Sequence, residues 1–363
     1  MLTIGMLMLT TMVAAGVGIS MAKLFGLIVV GLTASAAQAA HGVVLQSSQA
    51  AANAVTLPTV LLSFIPANPF LDMTGARKTS TIAVAVVIFA ILVGLAATGI
   101  ALKNPLLFAS FEYFINAAQA IIMRMVKIVL QLTPYGVFAL MTQVMANTSY
   151  TDTLKLLSLV VASYSALLLM FGVRLALVSA VGLNPVRYFK KIFPLLVFAF
   201  TSRTIVGAIP MNIQTQTQAL GTPASIANFS ASFGSTMGQN GCAGIYPAML
   251  AVMIAPTIGV DPFTVSFMVT LIAIATIGSV GVAGVGGGAT FAALIVLGAM
   301  YLSVALVGLL ISIEPLIDMG RTALNVSGAV TAGTVTSRIL GQTDMAVFNG
   351  DIGLDMDAID VPH

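Results

Sequence analysis

The chain has 363 residues, of which 59% are hydrophobic and 7% are charged, and its mean hydropathy is +1.07. A soluble domain carries about 25% charged residues, so this composition excludes a water-soluble globular protein and predicts an integral membrane protein. The net charge of +3 gives no indication of nucleic-acid binding. The single cysteine excludes an internal disulfide, and two histidines form no zinc or haem pattern.

The first 150 residues contain apolar runs of uneven length. A bilayer core takes about 20 apolar residues per helix, and residues 2–30, 81–101 and 108–145 reach that length. Residues 54–65 form a weaker run that the prolines of IPANPF, residues 65–70, interrupt. No basic segment or cleavage site marks the first run as a signal peptide, so we expect it to be a membrane span.

Another span is predicted at residues 154–181, and beyond it the apolar segments become short. They are 192–201 and 208–219 around SRTIVG, 225–237 and 245–255 around GQNGCAG, and 262–276 and 289–299 around IGSVGVAGVGGG. Irregular backbone at membrane depth must be buried in protein or line an aqueous cavity. Paired, interrupted segments are typical of secondary transporters, whose binding sites form where broken helices meet.

Three smaller features of this half are the glycine-rich tip, the TQTQ run and the single cysteine. The tip GVAGVGGG favours a flexible lid, with close helix packing as the alternative. TQTQ, residues 215–218, is interpreted as a polar turn, and Cys242 as a packed residue rather than a nucleophile because no histidine is near it in the sequence.

Charged residues outside the spans predict an orientation. Arg187, Lys190 and Lys191 are expected in one short loop, which we place on the cytoplasmic side. The residues after Arg338 include five aspartates and are expected to form a solvated acidic tail.

A polar stripe runs through the apolar segment IEPLIDMGRTALNVSGAV, residues 313–330. Glu314, Asp318, Arg321 and Asn325 are spaced by four, three and four residues, which places them on one helix face. A charge at mid-bilayer costs about 2.5–3.5 kcal/mol, so this face must point inward. It is either a structural Asp318–Arg321 pair or a zwitterion site in which carboxylates bind an ammonium and the guanidinium binds a carboxylate. Pro315 is expected to kink the helix just before the stripe.

DMGRTALNVSG, residues 318–328, resembles the signature DMGRTxxNVxGD of the dicarboxylate/amino acid:cation symporter family. IPANPF, LTPYGVFALM, FSASFGSTMGQNGCAGIYPAMLAVMIAPT and the glycine-rich tip follow in family order, so the resemblance covers nearly the whole chain. It implies an all-α, glutamate-transporter-like elevator fold with two re-entrant helical hairpins and interrupted transmembrane helices. It also implies a homotrimer that crosses the bacterial inner membrane several times.

The resemblance further implies a division of the chain. Residues 1–30 and 151–340 would form the transport domain, residues 31–150 the scaffold and trimerisation helices, and residues 341–363 an acidic cytoplasmic tail. The implied activity is secondary-active import of a small amino acid, L-cystine or a relative of it, driven by Na⁺ or H⁺ and without a cofactor.

Family roles carried over to this sequence define two sets of residues. Asp318 would hold the substrate ammonium, Asn325 the α-carboxylate and Arg321 the distal anionic group. The other substrate-binding positions would be Cys242, Arg203, Thr204, Gly281 and Gly284. The cation sites would draw on Thr10, Thr11, Thr236, Gln239, Asn240, Thr276, Ser279 and Glu314.

The sequence departs from the family pattern at the cation sites. Asn240 stands where the NMDGT motif has an aspartate, and Ala329 stands where an acid follows NVxG. These departures predict fewer sodium ions or proton coupling, with Glu314 as the membrane acid. Two further helices precede the first span in the family, so the chain is expected to be N-terminally shortened.

Three other functions remain open from the sequence. The chain could be a symporter for glutamate, aspartate or dicarboxylates, or an inactive truncated relative. It could also be an intramembrane enzyme with Glu314 and Asp318 as acid and base, although no nucleophile accompanies them.

Overall fold

The computed structural model describes residues 1–27, 68–73, 82–118, 150–280, 288–303 and 313–350, together with isolated positions between 121 and 142 and at 282, 284 and 307. The secondary structure of these described residues is helical, without a β-strand. Three of the described helices are long and apolar enough to cross a membrane: Leu2–Leu24, Leu157–Ala180 and Asn240–Ile258. The prediction of a multi-pass membrane protein is therefore confirmed.

Helix α1 spans Leu2–Leu24, α2 spans Pro69–Met73, α3 spans Ile82–Lys103 and α4 spans residues 105–118. The side chain of Asn68 begins α2, because its oxygen accepts hydrogen bonds from the backbone N–H groups of Phe70 and Leu71, each at 3.1 Å. These helices confirm the predicted first span and the span at 81–101. The weak run at 54–65 and most of 108–145, including most of LTPYGVFALM, lie outside the described residues.

Helix α5 spans Tyr150–Ala180, and α6 spans Pro185–Ser202. The Asn184 side chain caps α6 by accepting from the N–H groups of Val186 and Arg187 at 3.0 and 3.1 Å. The basic segment predicted as a short loop is therefore helical, and that expectation is wrong. An N-cap asparagine followed by proline at the first helical position starts the helix before the basic residues.

Helix α7 spans Ile209–Gln214 and continues as one π-helical turn, Thr215–Ala219. The interpretation of TQTQ as a polar turn is wrong, because its side chains pair inside the protein. Gln216 Nε2 donates to Asn212 Oδ1 at 2.7 Å, and Ser230 Oγ donates to Gln216 Oε1 at 3.0 Å. Buried polar groups that satisfy one another remain compatible with a helix.

The predicted interruption around GQNGCAG is confirmed. Helix α8 spans Ala224–Gly234, a π-helical turn spans Asn240–Ile245, and α9 continues it over Tyr246–Ile254. Helices α10, Val265–Gly278, and α11, Gly288–Ala299, then pack against each other on either side of the glycine-rich tip.

Helix α12, Glu314–Ile339, carries the polar stripe and packs against α5, α6, α8 and the π-helical turn Asn240–Ile245. The expected kink at Pro315 is wrong, because the helix begins at Glu314 and the proline lies in its first turn. A backbone N–H in the first turn of a helix has no intrahelical acceptor, so a proline, which lacks the N–H, fits there without a kink. The stripe therefore starts at the helix N-terminus.

The segment after α12 folds back on the protein. Asp344 caps a short helix α13, Met345–Asn349, and its own N–H donates to the Gly221 carbonyl at 2.8 Å. Phe348 is 1% exposed. Asp344 itself is exposed, so the expected solvated acidic tail stays a prediction, and residues 351–363 lie outside the described part of the chain.

Candidate substrate and cation sites

Four charged side chains meet where the first turns of α12 face the turn between α6 and α7. Arg203 Nε and Nη2 each lie 2.9 Å from Asp318 Oδ2, and Nη2 lies 3.5 Å from Glu314 Oε2. Arg321 Nη2 donates to Glu314 Oε1 and lies 3.3 Å from Asp318 Oδ1. Each acid thus contacts both arginines. We call Arg203, Glu314, Asp318 and Arg321 the charged cluster; its formal charge is zero.

Arg203 reaches this cluster from a left-handed backbone conformation. It forms the C-cap of α6 with φ 54° and ψ 27°, and its N–H donates to the Ala199 carbonyl at 3.2 Å. A left-handed conformation costs a non-glycine residue about 1–2 kcal/mol, which the ion pairs with the two acids help to offset. Thr204 is used within the same turn, where its hydroxyl accepts from the N–H of Gly207 at 3.1 Å.

Arg321 is held on three sides and keeps donors to spare. Its guanidinium carbon lies 4.3 Å from the centre of the Tyr246 ring, and the side chain is 1% exposed. Its Nη1 and Nε atoms have no hydrogen-bond partner among the described residues. Buried donors are normally paired, so these atoms are available to an anionic group, as predicted for the distal part of a substrate.

Asn325 lies one turn after Arg321 on α12, next to Cys242 of the π-helical turn Asn240–Ile245. Asn325 Oδ1 accepts from the N–H of Gly241 at 2.7 Å, and its Nδ2 lies 3.0 Å from Cys242 Sγ. Gly241 permits this approach, because an added Cβ would lie 2.9 Å from Arg321 Cα. The polar stripe is therefore buried along its length, as predicted, and Asn325 links it to the interrupted helix.

The turn after α6 contacts the glycine-rich tip that follows α10. The N–H groups of Ile205 and Val206 donate to the Gly284 carbonyl at 3.0 and 3.1 Å. A Cβ on Gly284 would lie 2.4 Å from the Ser235 carbonyl oxygen, so close packing explains this glycine, and a lid function stays a prediction. Gly281 lies outside the described residues.

Three of the predicted cation-site residues come together between α1 and the interrupted helix. The Asn240 amide pairs both of its atoms when its nitrogen donates to Thr11 Oγ1 at 3.0 Å and its oxygen accepts from Thr10 Oγ1 at 3.3 Å. Gln239 Nε2 instead donates to the carbonyls of Ser235 and Val282 at 2.8 and 2.6 Å.

The remaining cation-site predictions are not joined to Asn240 by a hydrogen bond in the described part of the chain. The hydroxyls donate within their own segments, Thr236 to Phe233 O at 3.2 Å, Thr276 to Ile272 O at 2.7 Å and Ser279 to Thr276 O at 2.7 Å. Glu314 belongs to the charged cluster. These roles stay predictions.

The sequence analysis missed Arg174 of α5, which is 1% exposed. Its Nη1 donates to the Leu324 carbonyl and to Ser327 Oγ. With the Asn240 amide assigned in the orientation that pairs both of its atoms, Arg174 Nη2 donates to the amide oxygen at 3.0 Å. A Cβ on Gly328 would lie 2.6 Å from Nη2, so the glycine makes room for the guanidinium. A lone arginine inside the apolar run 154–181 was the signal that could have identified it.

Comparison with known proteins gives one family and several relatives. The family model described as the sodium:dicarboxylate symporter family matches residues 1–339. A protein of Bacillus anthracis named L-cystine uptake protein TcyP is 53% identical over 350 residues, which cover 96% of this chain and 75% of the relative. Proteins with the same name from Shouchella clausii and Bacillus licheniformis are 53% and 54% identical, over 96% of this chain and 74% and 75% of their own lengths.

Proposed function

Because the chain belongs to the sodium:dicarboxylate symporter family, we propose that it imports L-cystine, or a close analogue, by cation-coupled symport. It is a transporter rather than an enzyme, so the alternative of an intramembrane acid–base enzyme is set aside. The observation that carries the choice of substrate is the composition of the charged cluster, in which two arginines face two acids.

The charge balance of the cluster favours a zwitterion over a dianion. L-Cystine carries two ammonium and two carboxylate groups and has no net charge near pH 7. Two carboxylates and two guanidinium groups can pair with all four of them, and the total charge remains zero. A dicarboxylate would instead bring two negative charges to arginines that Glu314 and Asp318 already neutralise.

Binding would exchange partners within the cluster. In the proposed order, a substrate ammonium takes the position of Arg203 at Asp318 Oδ2, which frees the Arg203 guanidinium for a substrate carboxylate. Arg321 Nη1 and Nε, which have no partner among the described residues, donate to the second carboxylate. An ammonium and a guanidinium can each pair with a carboxylate, so Asp318 stays ion-paired when the substrate ammonium replaces Arg203.

This exchange supplies a route from substrate binding to gating. Arg203 is two residues from Ile205, whose N–H bonds the tip of the second hairpin at Gly284. A shift of Arg203 would therefore change the contact between the two tips. We propose that both tips gate the site and that the transport domain moves as an elevator, with hairpins that re-enter the membrane from each side.

The wider assignments belong to the same proposal. The contacts of α1 with α5, α9, α10 and the π-helical turn support grouping residues 1–30 with 151–340 as the transport domain. Residues 31–150 would form the scaffold of a homotrimer, and 341–363 a tail on the cytoplasmic side of a bacterial inner membrane. Asn325 and Cys242 would contact the substrate near the interrupted helix, and Na⁺ or H⁺ would drive uptake.

The test is reconstitution of the purified chain in proteoliposomes with labelled L-cystine. We expect accumulation above equilibrium under an imposed sodium or proton gradient, abolished when an ionophore collapses that gradient. Unlabelled cystine should compete better than glutamate, aspartate or succinate. The relative from Bacillus licheniformis, reconstituted in parallel, controls for the procedure. Cystine binding without accumulation would contradict the proposal and favour an inactive relative.

A further inference from the structure

Arg174 is a buried positive charge without a negatively charged partner among the described residues. It lies in the second half of α5 and is 1% exposed, and no described carboxylate is within salt-bridge distance of its guanidinium. The two acids of α12, Glu314 and Asp318, pair with Arg203 and Arg321 instead. Ionised side chains inside a membrane protein are costly and mark functional positions, so a charge kept here needs an explanation.

The groups around the guanidinium are uncharged oxygens. They are the Leu324 carbonyl, the Ser327 hydroxyl and, in the amide orientation assigned from its hydrogen bonds, the Asn240 oxygen. The hydroxyls of Thr10 and Thr11 complete the surroundings of the Asn240 amide at 3.3 and 3.0 Å. Carbonyl, hydroxyl and amide oxygens beside an interrupted helix are the ligands that hard cations take in transporters.

Two positions allow the arginine to occupy this oxygen cluster. Gly328 has no side chain, and a Cβ there would lie 2.6 Å from Arg174 Nη2. Asn240 is neutral, so the cluster supplies no charge that would balance a second cation. A free ion bound to the same oxygens would be repelled by the guanidinium at short range.

We propose that the Arg174 guanidinium is a tethered cation that occupies the oxygen cluster of Asn240, Leu324 and Ser327, so that no free Na⁺ binds there. The positive charge beside the interrupted helix is then the Arg174 guanidinium, which is always present. Gly241, next to Asn240, bonds Asn325, so the guanidinium holds the substrate-side residues in place without an ion. The inference rests on the proposed transport function for its meaning, but cation binding can be measured without substrate.

The test measures the thermal unfolding midpoint Tm of the full chain as NaCl replaces choline chloride at constant ionic strength. Thr11→Val is the probe of this cluster, because its hydroxyl contacts Asn240. We expect the sodium response of the unmodified chain to be the same with and without Thr11→Val. The double variant Arg174→Gln, Asn240→Asp should gain a saturable rise in Tm of about 2 °C or more, and adding Thr11→Val should remove it.

Charge-preserving variants separate a tethered cation from a merely structural arginine. Arg174→Lys and the single variant Asn240→Asp keep a cation at the cluster, and neither should gain the sodium response. If the double variant does not fold, Arg174→Gln alone should gain a weaker response of the same kind. The proposal is overturned if Thr11→Val removes a sodium response from the unmodified chain. It is also overturned if the folded variants that carry Arg174→Gln show the same lowered Tm in sodium chloride and in choline chloride. Failure of cystine uptake would leave either result unchanged.

Discussion

Arg203 Nε lies 2.9 Å from Asp318 Oδ2, so the turn between α6 and α7 is ion-paired to α12. Both partners were candidates for substrate binding, yet here they bind each other. A substrate ammonium must therefore compete with a guanidinium for one carboxylate. Asp318→Asn removes that carboxylate, and Arg321→Lys changes the other arginine that contacts it.

Replacing Asp318 by asparagine should abolish uptake while leaving the helix intact. The variant keeps the shape of the side chain but leaves Arg203 and Arg321 to share one acid. Removing one partner of a buried ion pair costs about 3–5 kcal/mol, so we expect the initial rate of cystine uptake to fall by at least ~100-fold. Asp261→Asn is the matched control, because among the described residues the Asp261 carboxylate accepts only from the N–H of Phe263, in an exposed loop. Unchanged uptake by the Asp318 variant would remove it from the site.

Replacing Arg321 by lysine should raise the KM for cystine by about 10-fold or more. One ammonium group cannot contact Glu314 and Asp318, stack on Tyr246 and still leave two directed donors for a carboxylate. Arg187→Lys is the control, since Arg187 donates to Asn349 near the C-terminal helix, away from the charged cluster. A KM that changes equally in both variants would indicate a general effect of arginine loss.

Local spacing was enough to predict the polar stripe and the interrupted helices. Glu314, Asp318 and Asn325 lie on one face because helix geometry alone relates positions three and four apart. Their partners could not be predicted in the same way. Arg203 and Asp318 are 115 residues apart, and no periodicity connects residues that meet only through packing.

The wrong expectations have a common physical cause. Pro315 fits either a kink or a first helical turn, and the apolar residues before it do not mark where the helix begins. The polar side chain of Gln216 predicts a turn, and only the structure shows that Asn212 and Ser230 pair with it inside the protein. Buried polar groups are tolerated when they satisfy each other, and their partners come from other elements.

The C-terminal helix should stabilise the protein measurably. Phe348 is 1% exposed, and Lys191 Nζ donates to the neighbouring Val347 carbonyl at 2.8 Å. Truncating a buried phenylalanine costs about 3–5 kcal/mol, so Phe348→Ala should lower the Tm of the purified protein by several degrees. Leu340→Ala is the control, because Leu340 is 55% exposed. Equal Tm values for the two variants would contradict the packed position of this segment.

Gly241 should be intolerant of even one added methyl group. A Cβ there would lie 2.9 Å from both Cα and Cβ of Arg321 and 3.1 Å from its carbonyl oxygen. These are backbone and near-backbone atoms, so they can yield only if α12 shifts relative to the interrupted helix. Overpacking of this kind costs about 1–3 kcal/mol.

We therefore expect Gly241→Ala to lower Tm and to raise the KM for cystine together, because the shift moves Arg321 and lengthens the bond from the Gly241 N–H to Asn325. Gly16→Ala is the matched control in α1, where an added Cβ meets no atom within 4 Å. That change should leave uptake intact and leave Tm unchanged or slightly higher, since alanine favours a helix over glycine by about 1 kcal/mol. Normal KM with lowered Tm in Gly241→Ala would show that the contact supports the fold without positioning the site.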